Sequence, residues 1–489
     1  MTMLRYYPAL LLSLTVIICS SCDKQPAAGD IPSGNYWKEQ GTARILDYWT
    51  KNASDTAGGA FYSFLDRRWQ PYKVNEKYPG MISRHIFSYS VGYLLSGDDE
   101  YLRLAGRAAG YLTEHGWDHQ YGGWYNALDR YGNVTDSAKD GFLQPYAITG
   151  LAMYYFVTHD KKVLSYIEQS NEIMETYARD KEFGGYYRSL NRDLSIRSSD
   201  KDFSPQLAPV SGYLIYLYLA TGDSVYLQQM ERIMATVTDK MSDPDGPWIL
   251  GHFDRRWNYT YQEREDGTEL NTGHNIEVVW MLLRLYELTG RDDYLQRATV
   301  LQQEVYEYGF ADNEGMWYHR IGRADPSLHN ESSPWWIQAY GNMCSLYLYH
   351  IKGDKEFLEI FKKGAEFWNR HFIDDEYGAA YLSVNTDGSI DKGSKAVRTK
   401  TSYHSMEHAM INYIYTSLLL GKKPVKLHFQ ISDPAPGDRL YPLPVEPSSF
   451  TVSSVMINGE PWSDFSADER FIRLPGWQDM DIEVIIENK

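Results

Sequence analysis

Two histidines, an arginine and a pair of tryptophans stand out in this chain because each lies where an apolar helical run begins. His274 and Glu277, in Gly273-His-Asn-Ile-Glu-Val-Val-Trp280, are three residues apart on the helix leading into Trp280–Leu288, so both can face the same way. His404 lies in Thr401-Ser-Tyr-His-Ser-Met-Glu-His408 at the start of the last such run; Arg84 opens the run Ile86–Leu95, and Trp335-Trp336 opens the run before Leu348. Imidazoles titrate near neutrality, with an unperturbed pKa of about 6.5, so a pair of them can take a proton and return one. A guanidinium supplies fixed positive charge for a developing oxyanion, and a tryptophan face suits a sugar ring. A histidine at a helix start is more often a satisfied structural residue. What makes these residues a set is that each holds a similar phase in a different repeat.

The repeat is what must position them. Ser96-Gly-Asp-Asp-Glu-Tyr-Leu102 recurs with its closing leucine at Leu164, Leu227, Leu295 and Leu358, a period of about 63 residues, and Gly421-Lys-Lys-Pro424 makes a sixth mark. Each copy follows one apolar helical run and precedes another with i, i+3, i+4 spacing, Gly ending one helix and Asp capping the next. A second phrase recurs in counterpoint, as Gly58-Gly-Ala-Phe-Tyr62, Gly122-Gly-Trp-Tyr125, Gly184-Gly-Tyr-Tyr187, Gly315-Met-Trp-Tyr318 and Gly378-Ala-Ala-Tyr381, and reads as a short strand and turn at one end of each helical hairpin. Six such hairpins bury a continuous core only when stacked. The count of six, with enlarged loops all at one end, predicts closure into a mainly α (α/α)6 barrel, a toroid over residues 35–422, rather than an open solenoid. From residue 423 the apolar period changes from 3.6 to 2, in Val425–Ile431, Phe450–Ile457, Phe471–Leu474 and Ile482–Ile486, with Asn458-Gly459 as a hairpin turn; residues 423–489 therefore read as a small C-terminal β-domain.

Composition narrows the partners. The formal charge of −17 opposes a phosphate backbone or an anionic membrane surface, so no nucleic acid is expected. Residues 1–22 have signal-peptide form, with Arg5, an apolar stretch Leu10–Ile18 and small residues before Cys22, as in a bacterial lipoprotein signal that lipidates that cysteine. Residues 23–34 then read as a linker, and the expectation is an exported cell-envelope lipoprotein that touches the membrane only through its N-terminal anchor. Removal of the signal leaves Cys22 and Cys344, too few for a disulfide framework or a thiolate metal site. His404-x-x-Glu407-His408 does repeat the short inverted zinc-peptidase pattern, but inside a helical repeat, and no metal is expected. No glycine-rich nucleotide fingerprint occurs, and no cofactor is expected.

Taken together, the phrases Arg84…Phe87-Ser88, Gly273-His274-x-x-Glu277, Trp335-Trp336-x-Gln338-Ala339 and Tyr403-His404 make residues 35–422 resemble the N-acylglucosamine 2-epimerase and cellobiose 2-epimerase superfamily, whose fold is an (α/α)6 barrel. The resemblance implies an isomerase in which His274 and His404 are the acid/base pair on the C2 proton of a reducing-end sugar, Arg84 holds the enediolate, and Trp335 or Trp336 stacks on the ring. Glu277 is placed to orient His274 or to meet a hydroxyl. Gln338, Tyr403, Asp140 and Glu407 complete the candidate substrate shell. The chain departs from the family pattern at Ala208-Pro209 and Gly212, where a Met-His…Glu phrase is usual, and at Tyr340 and Glu407, where Glu and Arg are usual. The two-histidine core is kept while the sugar-binding shell is rebuilt. The competing class is an exported carbohydrate-cleaving enzyme: a glycoside hydrolase with Asp140, Glu277 and Glu407 as candidate acids, or a polysaccharide lyase in which Tyr403 and His404 act on a uronate held by Arg84. A non-catalytic surface sugar binder is the third.

Overall fold

The computed structural model describes residues 30–74, 76–261 and 267–489. The expected signal segment with Cys22, and the expected linker up to residue 29, lie outside the described residues. Helices make up most of the chain as far as Leu420, and strands take over at Val425.

Six inner helices carry the site. They are α1 (Pro79–Ser96), α2 (Leu143–Thr158), α3 (Phe203–Ala208, continuing through Pro209–Leu214 to Ile215–Thr221), α4 (Thr272–Thr289), α5 (Trp335–Lys352) and α6 (Tyr403–Tyr415). Each packs on the next, and α6 packs back on α1. Covered on both sides, these helices have no polar face: α1 is buried from Pro79 through Leu95. The outer helices, such as Asp99–Tyr111 and Lys355–Phe367, bury one stripe and expose the other. In α3, Pro209 lacks an N–H, and the helix widens there into a π-type stretch.

The repeated Gly-Asp phrase is the corner between an inner and an outer helix. Gly97, Gly222, Gly290 and Gly353 end inner helices in the left-handed region, while Asp98, Asp160, Asp223 and Asp354 cap the outer helices that follow. At the opposite end the short hairpins are pinned by carboxamides of the inner helices. Gln144 accepts from Trp124 N–H and donates to Trp124 O, Gln206 does the same with Tyr186, and Asn275 with Ile249. The Asn275 case exposes a further hairpin, Ser242 to Ile249, which Pro247 disguises in the sequence.

Buried carboxylates on five of the hairpins form ion pairs, most of which reach into a neighbouring repeat. Asp55, Asp118, Asp180 and Asp374 each bind a buried lysine, respectively Lys77, Lys139, Lys201 and Lys395. The same carboxylates take an arginine from the following repeat, Arg130, Arg192 and Arg255, and Asp243 likewise takes Arg323. Arg67 of the first repeat reaches Asp374 of the last at 2.9 Å, so the series returns to its start. Burial pushes these carboxyls up, but the Arg, Lys and backbone N–H donors together outweigh it: Asp55 sits at about 2, and Asp118, Asp180 and Asp374 lower still.

The C-terminal strands form an antiparallel sheet in the order Val425–Ile431, Met480–Asn488, Phe450–Ile457, Glu460–Pro461. Val425–Ile431 alternates buried and more exposed positions and lies against α1 and α2. A second, smaller sheet joins Arg439–Leu440, Phe471–Arg473 and Phe465–Ser466. Between strands, Glu446 is buried against α4 and α5, where it binds Arg284 and Tyr347.

Candidate active site

All six inner helices begin at the same end of the ring, and their first two turns line a cavity of about 350 Å³. Arg84, Tyr146, Ala208, His274, Trp336 and His404 each come from a different inner helix. The helix N-termini turn their partial positive charge toward this space, which favours an anion forming there.

His274 Nδ1 lies 3.0 Å from Glu277 Oε2, one helical turn on. As a carboxylate Glu277 accepts from Nδ1–H, which leaves the Nε2 lone pair as the basic site. The imidazole stacks on Phe203, with centroids 4.6 Å apart, and touches Trp336 at 5.2 Å. His404 touches the same indole at 6.1 Å and Tyr340 at 5.1 Å. Its Nδ1 is buried without a hydrogen-bond partner, leaving Nε2 as the nitrogen that can address the cavity. Burial, and then Arg84 and His274, hold His404 well below the usual imidazole range. Arg84 is fixed by donating from Nη1 to Thr399 O at 2.8 Å and by lying 3.7 Å over the Tyr146 ring. Trp336 is half-buried, whereas Trp335 is 3% exposed. The seat of Trp336 requires Gly273, since a Cβ there would stand 2.4 Å from the indole.

The remaining candidates lie elsewhere. Gln338 is fully buried on the outward side of α5: it accepts from Trp317 N–H and donates to Gly315 O and Gly364 O, so it is one of the carboxamides that pin a hairpin. Asp140 accepts from Phe142 N–H and thereby sets the start of α2. Tyr403 is packed edge-on against Phe87 and does not line the cavity; burial raises its hydroxyl well above the usual range. Glu407 is fully buried behind His404 and is also absent from the wall. Of the candidates for the cleaving readings, the lining therefore holds Glu277, His404 and Arg84 but not the Asp140 or Glu407 carboxyls or Tyr403. His408 faces away from the cavity, between Trp37 and Trp368, so the two histidines of the zinc-like pattern serve different surroundings. Among the described residues no three His, Cys, Asp or Glu groups are placed to hold a metal ion.

Several contributors were not read from the sequence. Tyr146 and Phe203, which carry Arg84 and His274, are aromatic residues among many, and Thr399 acts through its carbonyl, which has no side-chain signal. His319, Asp391 and Lys392 also reach the cavity, from loops and short strands over its mouth.

The sequence profile of the N-acylglucosamine 2-epimerase (GlcNAc 2-epimerase) family matches residues 34–408. A cellobiose 2-epimerase of Bacteroides fragilis is 27% identical over 384 residues, spanning 74% of this chain and 94% of that protein. A D-mannose isomerase of Marinomonas mediterranea is 21% identical, spanning 74% and 93%. The solved structure of cellobiose 2-epimerase from Bacillus thermoamylovorans B4167 superimposes with a TM-score of 0.71 at 22% identity, over 78% of this chain and 98% of that one. At that identity the likeness is one of fold.

Proposed function

The chain belongs to the N-acylglucosamine 2-epimerase family, and on that premise we propose that it is a sugar 2-epimerase or isomerase acting on the open-chain reducing end of a mono- or oligosaccharide. The ring of inner helices is read as an (α/α)6 barrel, and its N-terminal end as the active site. The observation that carries the proposal is that His274 and His404, from different helices, both touch Trp336 at the wall of one cavity that Arg84 also lines.

The chemistry follows from the side chains. Arg84 receives the C1 carbonyl oxygen, whose polarisation makes the C2 proton acidic. His274 Nε2 takes that proton as the C2–H bond breaks, and the electron pair moves into an enediolate whose charge rests on the oxygen at Arg84. His404 returns a proton to C2 from its own side, giving the epimer; a proton returned to C1 instead, with the O2 proton passing to O1, gives the ketose. Electrons move within the sugar, so neither oxidant nor reductant is consumed. Trp336 offers the ring-stacking face.

The test is incubation of the full chain in D2O with mannose, N-acetylglucosamine and cellobiose, followed by NMR. Deuterium at C2 of an inverted product, with chain length unchanged, is the expected result. Shortened or unsaturated oligosaccharides without C2 exchange would favour a cleaving enzyme instead.

We also propose that the leader directs export and that Cys22 is the lipid anchor. A bacterial host fed a clickable fatty acid is expected to label the wild-type chain and not Cys22→Ala; equal labelling of both, or of neither, removes the anchor.

A further inference from the structure

Behind His404 lies a second layer of polar groups that proton transfer at the cavity wall does not by itself require. His404 Nδ1 is buried and unpartnered, and Glu407 Oε2 faces it at 3.9 Å, also buried and unpartnered. Glu407 Oε1 accepts from the Tyr216 hydroxyl at 2.8 Å. Leaving an imidazole nitrogen and a carboxyl oxygen unpaired in the core is costly for each, whereas one proton shared between them satisfies both. At 3.9 Å the two atoms stand beyond hydrogen-bond length, and closure of that gap is part of the proposal below.

We propose that Glu407 is a positioning residue whose proton replaces, at Nδ1, the one that His404 delivers from Nε2, and that the C-terminal β-domain sets its charge through Glu446 and Arg284. The inference rests on the two-histidine reading above. Protonated Glu407 donates from Oε2 to His404 Nδ1, which fixes the tautomer with hydrogen on Nε2. When the Nε2–H bond breaks and the new C2–H bond forms, the Oε2–H bond breaks and Nδ1 gains that proton. Imidazole is neutral before and after, and the negative charge leaves the enediolate for the Glu407 carboxylate. Solvent restores the proton after product departs.

The surroundings suit this role. Burial pushes the Glu407 carboxyl up, against the Tyr216 hydrogen bond and Arg284; Glu277 adds to the rise and Arg84 opposes it, and the outcome is about 7. Tyr146, Tyr340 and Tyr403 complete the titratable groups facing it, each with its hydroxyl raised by burial. Arg284 is 1% exposed, and its counter-ion comes from the C-terminal segment: Glu446 Oε1 accepts from Arg284 Nε at 2.6 Å, and Glu446 Oε2 accepts from the Tyr347 hydroxyl at 2.8 Å. The family match ends at residue 408, so this counter-ion lies beyond it.

The test uses the full chain, with mannose, N-acetylglucosamine and cellobiose as probes and the His404 ring nitrogens followed by 15N NMR. Below pH 7 the wild-type ring is expected to carry its proton on Nε2, changing to Nδ1 as pH rises, and kcat is expected to fall over the same range. Glu407→Gln is expected to lower C2 inversion by about 10²-fold, with KM little changed. It should also keep C2 exchange without inversion through His274 and lose both pH transitions, while Glu407→Asp keeps them. Glu446→Gln leaves Arg284 uncompensated, favours the Glu407 carboxylate and moves the transition to lower pH by about one unit. Inversion by Glu407→Gln at the wild-type rate, or an unchanged transition in both Gln variants, overturns the relay while the epimerase reading stands. Should Glu407→Gln fail to fold, a wild-type ring with no tautomer change between pH 5.5 and 8.5 overturns it alone. No C2 exchange by the wild type on any of the three sugars overturns the reading beneath it.

Discussion

His404→Asn is expected to lower C2 inversion by about 10⁴-fold while the sugar still binds, because it removes the group that delivers a proton to one face of the enediolate. The same variant should still exchange C2–H for deuterium with configuration retained, since His274 and its partner Glu277 are untouched. His274→Asn should lose inversion to the same extent, keeping exchange only for the opposite epimer through His404. The complementary split is the informative readout: a residue needed merely for folding would lose both reactions and the bound sugar together. Full inversion by either variant, measured by NMR in D2O, would exclude a two-histidine mechanism. Asparagine is the suitable replacement because it fills much of the imidazole volume without titrating.

Asp374→Ala is expected to cost about 3–5 kcal/mol of stability, the usual penalty for breaking a buried pair from one side. It strands Lys395, whose side chain is fully buried, and removes the buried carboxylate by which Arg67 joins the first repeat to the last, leaving Arg67 only the exposed Glu376 and the Tyr381 hydroxyl there. The measurement is urea unfolding of wild type, Asp374→Ala and Asp374→Ala/Lys395→Met. The double variant should recover most of the loss because Lys395 is then no longer a stranded buried charge. A single variant as stable as wild type would show that the clamp does not hold the ring closed. The wild type should also show the sign of these carboxylates. Their folded pKa values lie below the unfolded value of about 3.9, so the stability they contribute is complete above about pH 5 and is lost as pH falls toward 2.

Residues 35–422 were legible as helical hairpins because their signals are local. A left-handed residue ends five inner helices, with His159 in the glycine place once, and an aspartate caps the next helix at four of those corners, Arg291 standing there after Gly290. The hairpin copy from Ser242 to Ile249 escaped notice because Gly-Pro-Trp-Ile replaces the usual Gly-Gly-aromatic-Tyr, although Asn275 pins it as Gln144 and Gln206 pin theirs. The Asp–Lys–Arg clamps were missed for another reason: their members lie about 20 and about 75 residues apart, and charged residues look alike in sequence whether exposed or paired.

His274, Glu277, His404, Arg84 and Trp336 were found because a helix start is a local feature and the repeat gives its phase. Sequence alone thus determined the repeat, its helical class, the β-rich end and the residues at the mouth of the ring. Tertiary structure decided which of them touch the cavity. Gln338 and Glu407 stand on the same helices as Trp336 and His404, two and three residues on, yet one turns outward to hold a hairpin and the other lies behind the histidine. Successive helical residues are rotated by about 100°, and only the packing of neighbouring helices says which direction is wall, core or backing. The partnership of Glu446, Arg284, Tyr216 and Glu407 joins four distant segments through burial and charge, and no spacing along the chain encodes it.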